Sequence, residues 1–149
     1  MNRLETVSKN LAERLAAASP ERQRKVSIIA CELALQVTGL DMEIVLKSFE
    51  QLQHNGKLPH ELTVKLNELA AQLDERYFDI QSEDEDNISL QAESLQLFSH
   101  ARTVSAISFA GGEDTLFAVM ESIYEASMAF EDSGDFFQII NDALSKPES

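Results

Sequence analysis

The chain has few of the residues on which disulfides, metal sites and covalent catalysis depend. Its 149 residues include one cysteine, Cys31, and three histidines, His54, His60 and His100. One cysteine excludes a disulfide within the chain. No histidine lies one helical turn from another, so no zinc site is expected. Cys31 stands inside the apolar run "VSIIACELALQV", which predicts a packed, unreactive thiol.

Long apolar runs are also missing. No stretch approaches the roughly 20 apolar residues that a membrane-spanning helix needs. The opening segment, "MNRLETVSKNLAERLAAAS", carries Glu5 and Glu13 and lacks the continuous apolar stretch of a secretory signal. Together with the single cysteine, these absences predict a cytoplasmic protein that does not associate with a membrane.

Basic residues are scarce in the second half of the chain. The formal net charge is −14, and residues 77–149 contain fifteen acids against two bases, Arg102 and Lys146. Residues 1–76 are nearly balanced, with eleven acids and ten bases. Nucleic acid is not expected as a ligand, because binding its backbone needs lysine and arginine. The asymmetry favours a cationic protein partner, and the alternative interpretation is that the charge serves solubility.

Apolar residues recur at helical spacing along almost the whole chain, and no stretch alternates as a strand would. A stripe from Leu4 to Ala18 predicts the first helix. Ser19 and Pro20 predict the N-cap and first turn of a second helix, which is apolar on nearly all sides and stops at Gly39. Asp41 is the predicted cap of a third helix, which is expected to end at Asn55-Gly56. The fifth helix is expected to end at Gly111-Gly112 and the sixth near Ser133-Gly134.

These patterns predict one all-α domain over residues 1–149, a single bundle of six or seven helices packed antiparallel through short connections. The acidic segment 79–89, "DIQSEDEDNIS", is the one clear loop. It is expected to separate a four-helix part from a three-helix part, each too small for a core of its own.

The acidic loop invites comparison with an EF-hand, which requires Asp at its first position, Gly at its sixth and Glu at its twelfth. A register starting at Ser82 places Asn87 at the sixth position, and one starting at Asp84 places Leu95 at the twelfth. Both registers fail, so we expect a solvated loop and no metal site.

Motifs for nucleophilic catalysis and phosphate binding are absent. The chain has no G-x-S-x-G elbow and no G-x-x-x-x-G-K-[ST] loop. In "AGGEDT" a glycine pair precedes a helix, but Glu113 and Asp114 then occupy the helix start and would repel a phosphate. No cofactor is expected. Carboxylates that converge only in the fold would still allow an acid–base enzyme.

Arg102 is the most specific feature of the acidic half. It lies on the apolar face of "FSHARTVSAISFA", four residues from both Phe98 and Ala106. An arginine there must reach the surface or meet a carboxylate. Glu32 is the only acid in the apolar part of the second helix, so the sequence predicts a structural ion pair between Glu32 and Arg102.

Two segments resemble the YjaG-type family of uncharacterised helical bacterial proteins. Residues 21–52 contain Cys31-Glu32 where that family has Cys-Glu-Arg at the end of an apolar helix, but Leu33 replaces the arginine. Residues 98–110 resemble the alanine-rich later helix of the family. The resemblance implies an all-α fold and no activity.

The features favour a non-enzymatic acidic binding protein, for example an immunity or antitoxin protein that docks on a basic partner. The predicted partner-binding residues are Glu83, Asp84, Glu85 and Asp86, with Glu113 and Asp114 beside them. Two alternatives stay open: a metal- or small-molecule-dependent enzyme whose carboxylates converge in the fold, and a homo-oligomeric structural or regulatory module.

Overall fold

The computed structural model describes residues 2–83, 88–113 and 115–146, which form eight α-helices and no strand. The all-α prediction is therefore confirmed. The helices are α1 (Arg3–Val7), α2 (Lys9–Ala17), α3 (Pro20–Thr38), α4 (Glu43–Asn55), α5 (His60–Glu83), α6 (Ile88–Ala110), α7 (Thr115–Ser127) and α8 (Gly134–Ser145). Within these described ranges, no helix is both long enough and apolar enough to cross a bilayer.

Both ends of α3 lie where the sequence predicted them, because capping residues stand at those positions. The Ser19 side chain accepts a hydrogen bond from the backbone N–H of Arg22, and Pro20 occupies the first turn of α3. Gly39 ends α3 in the left-handed conformation, with φ of 66°. Glycine adopts this conformation without the steric cost that other residues meet, which explains why α3 stops there.

The first predicted helix is divided at Ser8. The backbone N–H of Ser8 closes α1 on the carbonyl of Leu4, while its hydroxyl accepts from the N–H of Leu11 and opens α2. A serine side chain that satisfies a backbone donor in this way competes with a continuous helix. The chain therefore changes direction, although Leu4, Leu11 and Leu15 all reach the core.

Three other predicted boundaries were wrong. Asp41 does not cap α4, whose N-cap is Met42 without a side-chain hydrogen bond. The predicted sixth helix ends at Ser127 rather than near Ser133-Gly134. Residues 79–83 and 88–89 are helical rather than part of a loop. Burial of Ile80 extends α5 into the acidic segment, so packing overrides its turn-like composition.

One hydrophobic core takes side chains from all eight helices. Helix α3 packs against α6, α7 and α8, and α7 also contacts α1 and α2. Helix α5 packs mainly along α6, in an antiparallel hairpin at one side of the bundle. Nine of the thirteen residues of α7 are buried, and they include two glutamates, Glu121 and Glu125. Buried acids in the most enclosed helix require partners.

Candidate functional site

Arg102 lies between two carboxylates on neighbouring helices. Its Nη1 donates to Glu125 Oε2 on α7 at 2.9 Å, and its Nη2 donates to Asp74 Oδ2 on α5 at 2.6 Å. The Arg102 side chain is only 16% exposed and that of Glu125 only 4%. Its guanidinium also lies 5.4 Å from the centre of the Phe98 ring. The contacts tie α5, α6 and α7 together.

The prediction that Glu32 pairs with Arg102 is wrong. Glu32 is exposed on α3, one residue beyond the buried Cys31 and therefore about 100° around the helix from it. Helix α3 turns the side that carries Ser27 and Cys31 towards α7, where both contact Ser122. The face of α3 that packs on α7 thus excludes Glu32, and Asp74 and Glu125 hold the arginine instead.

Arg3 holds the same glutamates from the other end of the chain. Its Nε donates to Glu121 Oε2 at 2.9 Å, its Nη2 also contacts that oxygen, and Nη2 donates to Glu125 Oε1 at 2.9 Å. The Arg3 guanidinium stacks 4.5 Å from the centre of the Tyr124 ring. Burial by itself would lower the pKa of Arg3, but the hydrogen bonds and the attraction from Glu121 and Glu125 together outweigh it and raise the pKa. Asn2 adds a contact to Met120 and completes the attachment of α1 to α7.

We call the five residues Arg3, Asp74, Arg102, Glu121 and Glu125 the ion network. Glu125 accepts from Arg102 on one oxygen and from Arg3 on the other. A carboxylate held on both oxygens by guanidinium groups is poorly suited to accept a proton or bind a metal ion. Within the described residues no group of three or more His, Cys, Asp or Glu is arranged to hold a metal. The geometry suits a role in holding helices together.

Sequence reasoning missed four members of the ion network. Glu121 and Glu125 are one turn apart in "TLFAVMESIYEAS", where the surrounding residues are mostly apolar. That is the same signal that singled out Arg102, namely a charge on a helix whose other residues are buried. Arg3 and Asp74 carry no such signal, because they lie where exposed charges are ordinary.

Cys31 is buried and points at a serine pair rather than at solvent. Its Sγ lies 3.5 Å from Ser122 Oγ, which in turn donates to the carbonyl of Ala106 at 2.8 Å. Burial raises the pKa of the Cys31 thiol from 9.0 to about 12, and the Ser122 contact offsets this only in part. A thiol held neutral in this way is not a nucleophile at physiological pH.

The glycine pair at the end of α6 has a packing explanation. Arg24 on α3 donates to the carbonyl of Ala110 at 2.5 Å and to that of Gly112 at 2.6 Å, which satisfies the helix end. A Cβ on Gly111 would approach the side chain of Leu58 to 2.8 Å. The glycine pair therefore allows α6 to end close to Leu58. Arg24 already donates hydrogen bonds to the carbonyls of Ala110 and Gly112.

Arginines of the first half reach across to the second half. Besides Arg3 and Arg24, Arg14 donates to Asn141 and Ser145 on α8, and Arg22 donates to the carbonyl of Leu144. The charge asymmetry of the sequence is thus partly cancelled inside the molecule, since Glu121 and Glu125 are neutralised by Arg3 and Arg102.

The predicted partner-binding residues are described only in part. Glu83 is the last residue of α5, and Glu113 is exposed just before α7. Asp84, Glu85, Asp86 and Asp114 lie outside the described residues. The structure adds a cluster that sequence reasoning did not single out: three exposed acids, Glu131, Asp132 and Asp135, lie within five residues of each other before and at the start of α8. Asp142 continues the exposed side of α8, because it is seven residues, or two turns, beyond Asp135.

The resemblance to the YjaG-type family stays a prediction. In comparisons with protein-family models, with curated proteins and with solved structures, no match to this chain was found.

Proposed function

We propose that this chain is a non-enzymatic binding protein whose acidic surface docks on a basic protein partner in the cytoplasm. Its mode of action would be that of an immunity or antitoxin protein that covers a cationic toxin. The supporting observation is which acids of the second half form ion pairs and which do not. Glu121 and Glu125 are neutralised internally, whereas exposed acids form no ion pair with any basic residue in the described part of the chain. These exposed acids are Glu113, Glu131, Asp132, Asp135 and Asp142.

Exposed charge of one sign acts on association more than on folding. A field of like charges accelerates the encounter with an oppositely charged partner and disfavours partners of the same sign. Acids left without internal cations keep their full field at the surface. The proposed docking surface therefore includes Glu83, Asp84, Glu85 and Asp86, with Glu113 and Asp114, and we add the three acids Glu131, Asp132 and Asp135.

The enzyme alternative has less support from the geometry. Carboxylates do converge, since Asp74 and Glu125 meet at Arg102 and Glu121 lies one turn from Glu125. Each of the three is bound to a guanidinium, however, and none is left to take a proton from a substrate. Convergence around arginines is typical of a structural network rather than of an acid–base pair.

Affinity capture from the native host's lysate, eluted along a salt gradient, tests the proposal. The expected result is a basic protein that is released as salt rises, because the screening length falls to about 3 Å at 1 M salt. The captured protein would then be purified and its binding to the isolated chain measured directly, together with inhibition of any toxic activity that it carries.

A matched pair of variants separates local charge from total charge. The triple change Glu131→Gln, Asp132→Asn and Asp135→Asn removes three exposed acids of the second half. The control change Glu13→Gln, Glu32→Gln and Glu50→Gln removes three exposed acids of the first half. The first should weaken binding about tenfold or more at low salt, and the second by less than about twofold. Equal losses, or no basic partner at any salt, would contradict the proposal.

A further inference from the structure

One side of α7 forms a site for a single guanidinium group, which Arg3 fills. Glu121 and Glu125 lie one turn apart, with Tyr124 between them in the sequence. The Arg3 guanidinium donates to both carboxylates and lies 4.5 Å from the centre of the Tyr124 ring. Several charged hydrogen bonds to one planar group, together with stacking on an aromatic ring, distinguish arginine from lysine. The site therefore recognises a guanidinium by its shape as well as by its charge.

The two carboxylates of this site require a cation. The side chains of Glu121 and Glu125 are only 7% and 4% exposed. Without Arg3, the ion network would contain three acids against one base, Arg102, whose guanidinium is directed at Asp74 and Glu125. A buried carboxylate that loses its cation is costly. We therefore expect the site to bind another guanidinium group whenever Arg3 is absent from it.

The group that fills the site belongs to an exposed side chain. The Arg3 side chain is 46% exposed, in contrast to the carboxylates that it contacts. Helix α1 has further attachments, since Leu4 is fully buried in the core and Asn2 contacts Met120. Rotation of the Arg3 side chain into solvent would thus weaken the attachment of α1 without releasing the helix. Exposed side chains change rotamer within nanoseconds, so one guanidinium can replace another there.

We propose that Glu121, Tyr124 and Glu125 form a binding site for an arginine side chain of the basic partner, and that Arg3 occupies this site in the free protein. We call these three residues the guanidinium site. When the partner binds, its arginine takes the place of the Arg3 guanidinium, which turns into solvent. The partner's arginine makes the contacts that Arg3 gives up, so the exchange needs little free energy beyond that of docking. Only the source of the arginine rests on the proposed function.

Chemical rescue tests the guanidinium site without any partner. Arg3→Ala removes the group that fills the site and leaves both carboxylates in place. Ethylguanidinium chloride should then bind and raise the melting temperature of Arg3→Ala in a saturable way, by about 2–4 °C more than that of the wild-type protein. Ethylammonium chloride at the same concentration should give about half of this rise or less, because an ammonium group cannot reproduce the planar contacts.

Two further variants test whether the rise comes from this site. Arg3→Ala/Glu121→Gln neutralises one carboxylate but keeps the contact between Arg102 and Glu125, so the rise should be lost. Arg76→Ala removes an arginine from an exposed ion pair with Glu93 and should show no rise. Circular dichroism verifies that each variant is folded, and Arg3→Gln replaces Arg3→Ala if the alanine variant does not fold.

Three results of the rescue experiment would overturn the proposal. They are a rise in Arg3→Ala no larger than in the wild-type protein or in Arg76→Ala, an equal rise with ethylammonium, and a rise that persists unchanged in Arg3→Ala/Glu121→Gln.

Affinity for the captured basic partner tests the exchange itself. In the wild-type protein the guanidinium site is open only while Arg3 is out of it, and the apparent affinity falls by that fraction. If Arg3 fills the site for about 80% of the time or more, Arg3→Ala should bind the partner about fivefold tighter or more. Arg76→Ala changes the net charge by the same amount and should gain less than about twofold. Equal gains would show that added negative charge alone is responsible, and the exchange would be wrong.

The two experiments separate this inference from the proposed function. If a basic partner is captured but Arg3→Ala and Arg76→Ala gain affinity equally, the proposed function is supported and the exchange at the guanidinium site is wrong. If ethylguanidinium rescues Arg3→Ala but no basic partner is captured at any salt, the proposed function is wrong. The guanidinium site is then supported by itself, and its assignment to a partner's arginine is wrong.

Discussion

At the scale of single residues, the interior of this protein contains charges that have partners on other helices. Arg102 lies between Asp74 and Glu125, and Arg3 bridges Glu121 and Glu125. Each charge would be costly to bury alone, and the pairs are acceptable only because both members are present. Replacing one member of a pair would therefore leave the other member buried without its partner and lower the free energy of unfolding.

Replacing Arg102 with alanine should lower the free energy of unfolding by about 3–5 kcal/mol, because Glu125 would be left buried with one cation fewer. The control is Arg76→Ala, which removes an exposed ion pair with Glu93 and should cost less than about 1 kcal/mol. Urea unfolding of both variants provides the comparison. Glu32→Gln should have little effect, because Glu32 is exposed on α3. A loss for Arg102→Ala no larger than that for Arg76→Ala would contradict the buried network.

The raised pKa of Cys31 predicts a loss of stability at high pH. An unfolded thiol releases its proton near the ordinary value of 9.0, whereas the folded thiol holds its proton up to about 12. Above pH 9 the unfolded state therefore binds fewer protons than the folded state, so the free energy of unfolding falls as pH rises. The loss should approach about 1.4 kcal/mol for each pH unit between these values.

Urea unfolding of the wild-type protein and of Cys31→Ala at pH 8, 9 and 10 isolates this contribution. Lysines and tyrosines titrate in both proteins and cancel in the difference. The advantage of the wild-type protein over Cys31→Ala should shrink from pH 9 to pH 10. A difference that is constant across this range would show that Cys31 ionises as freely in the folded state as in the unfolded one.

At the scale of helices, ends and pairings are controlled by different residues. Ser19 accepts a hydrogen bond from the backbone of Arg22 at the start of α3, whereas Ser133 stands at the start of α8 without a side-chain bond. In the α5–α6 hairpin, polar pairs recur at seven-residue steps along α5, from Asn67 with Ser108 through Asp74 with Arg102 to Gln81. Such regular polar contacts fix the register of two helices.

Ser19→Ala and Ser133→Ala form a matched test of the helix caps. Loss of the Ser19 bond should lower the free energy of unfolding by about 1 kcal/mol, since an N-cap serine satisfies a backbone donor that alanine cannot. Ser133→Ala should cost less than about 0.5 kcal/mol, because its side chain makes no such bond. Chemical denaturation of both variants measures the difference, and equal losses would contradict the cap geometry.

Helix α1 depends on Arg3 for its attachment to α7. Arg3→Ala removes the contacts to Glu121, Glu125 and Tyr124, so the five residues of α1 should detach more often. Hydrogen exchange at residues 3–7 should become faster, while exchange within α3 should change much less. Lys9→Ala, at an exposed position, is the control. Unchanged protection of α1 in Arg3→Ala would mean that Leu4 alone holds the segment.

At the scale of the whole molecule, internal pairing and surface repulsion act on different charges. The ion network contains three acids and two bases and so accounts for only −1 of the net charge of −14; most of the excess therefore lies on exposed acids that repel one another. Salt screens exposed charges effectively and buried pairs much less. Repulsion at the surface and attraction in the interior can therefore be separated by ionic strength.

The melting temperature should rise when sodium chloride is increased from about 10 mM to 200 mM, because screening relieves the self-repulsion of an acidic surface. The triple variant Glu131→Gln, Asp132→Asn and Asp135→Asn should show a smaller rise, since three repelling charges are gone. Differential scanning fluorimetry across the salt series measures both. A melting temperature that falls with salt would mean that exposed ion pairs outweigh the repulsion.

The sequence by itself determined the features that depend on residues close together in the chain. Helical periodicity established the all-α class, Ser19 with Pro20 and Gly39 set the ends of α3, and the uneven distribution of acids was visible from composition. These are local effects, because capping and side-chain spacing act within one or two turns. The sequence did not predict that α5 continues past residue 79, because the burial of Ile80 comes from packing against another helix and not from neighbours in the sequence.

Only the tertiary structure decided which charges meet and which surfaces stay open. Arg102 has its partners on α5 and α7, and Arg3 reaches α7 from the opposite end of the chain. The choice of Glu125 over Glu32 depends on which helix faces turn towards each other, and side-chain spacing within one helix does not fix this. For the same reason Leu95 lies exposed although its spacing resembles that of a core residue: α5 packs mainly along α6, and no other helix in the described part of the fold covers Leu95.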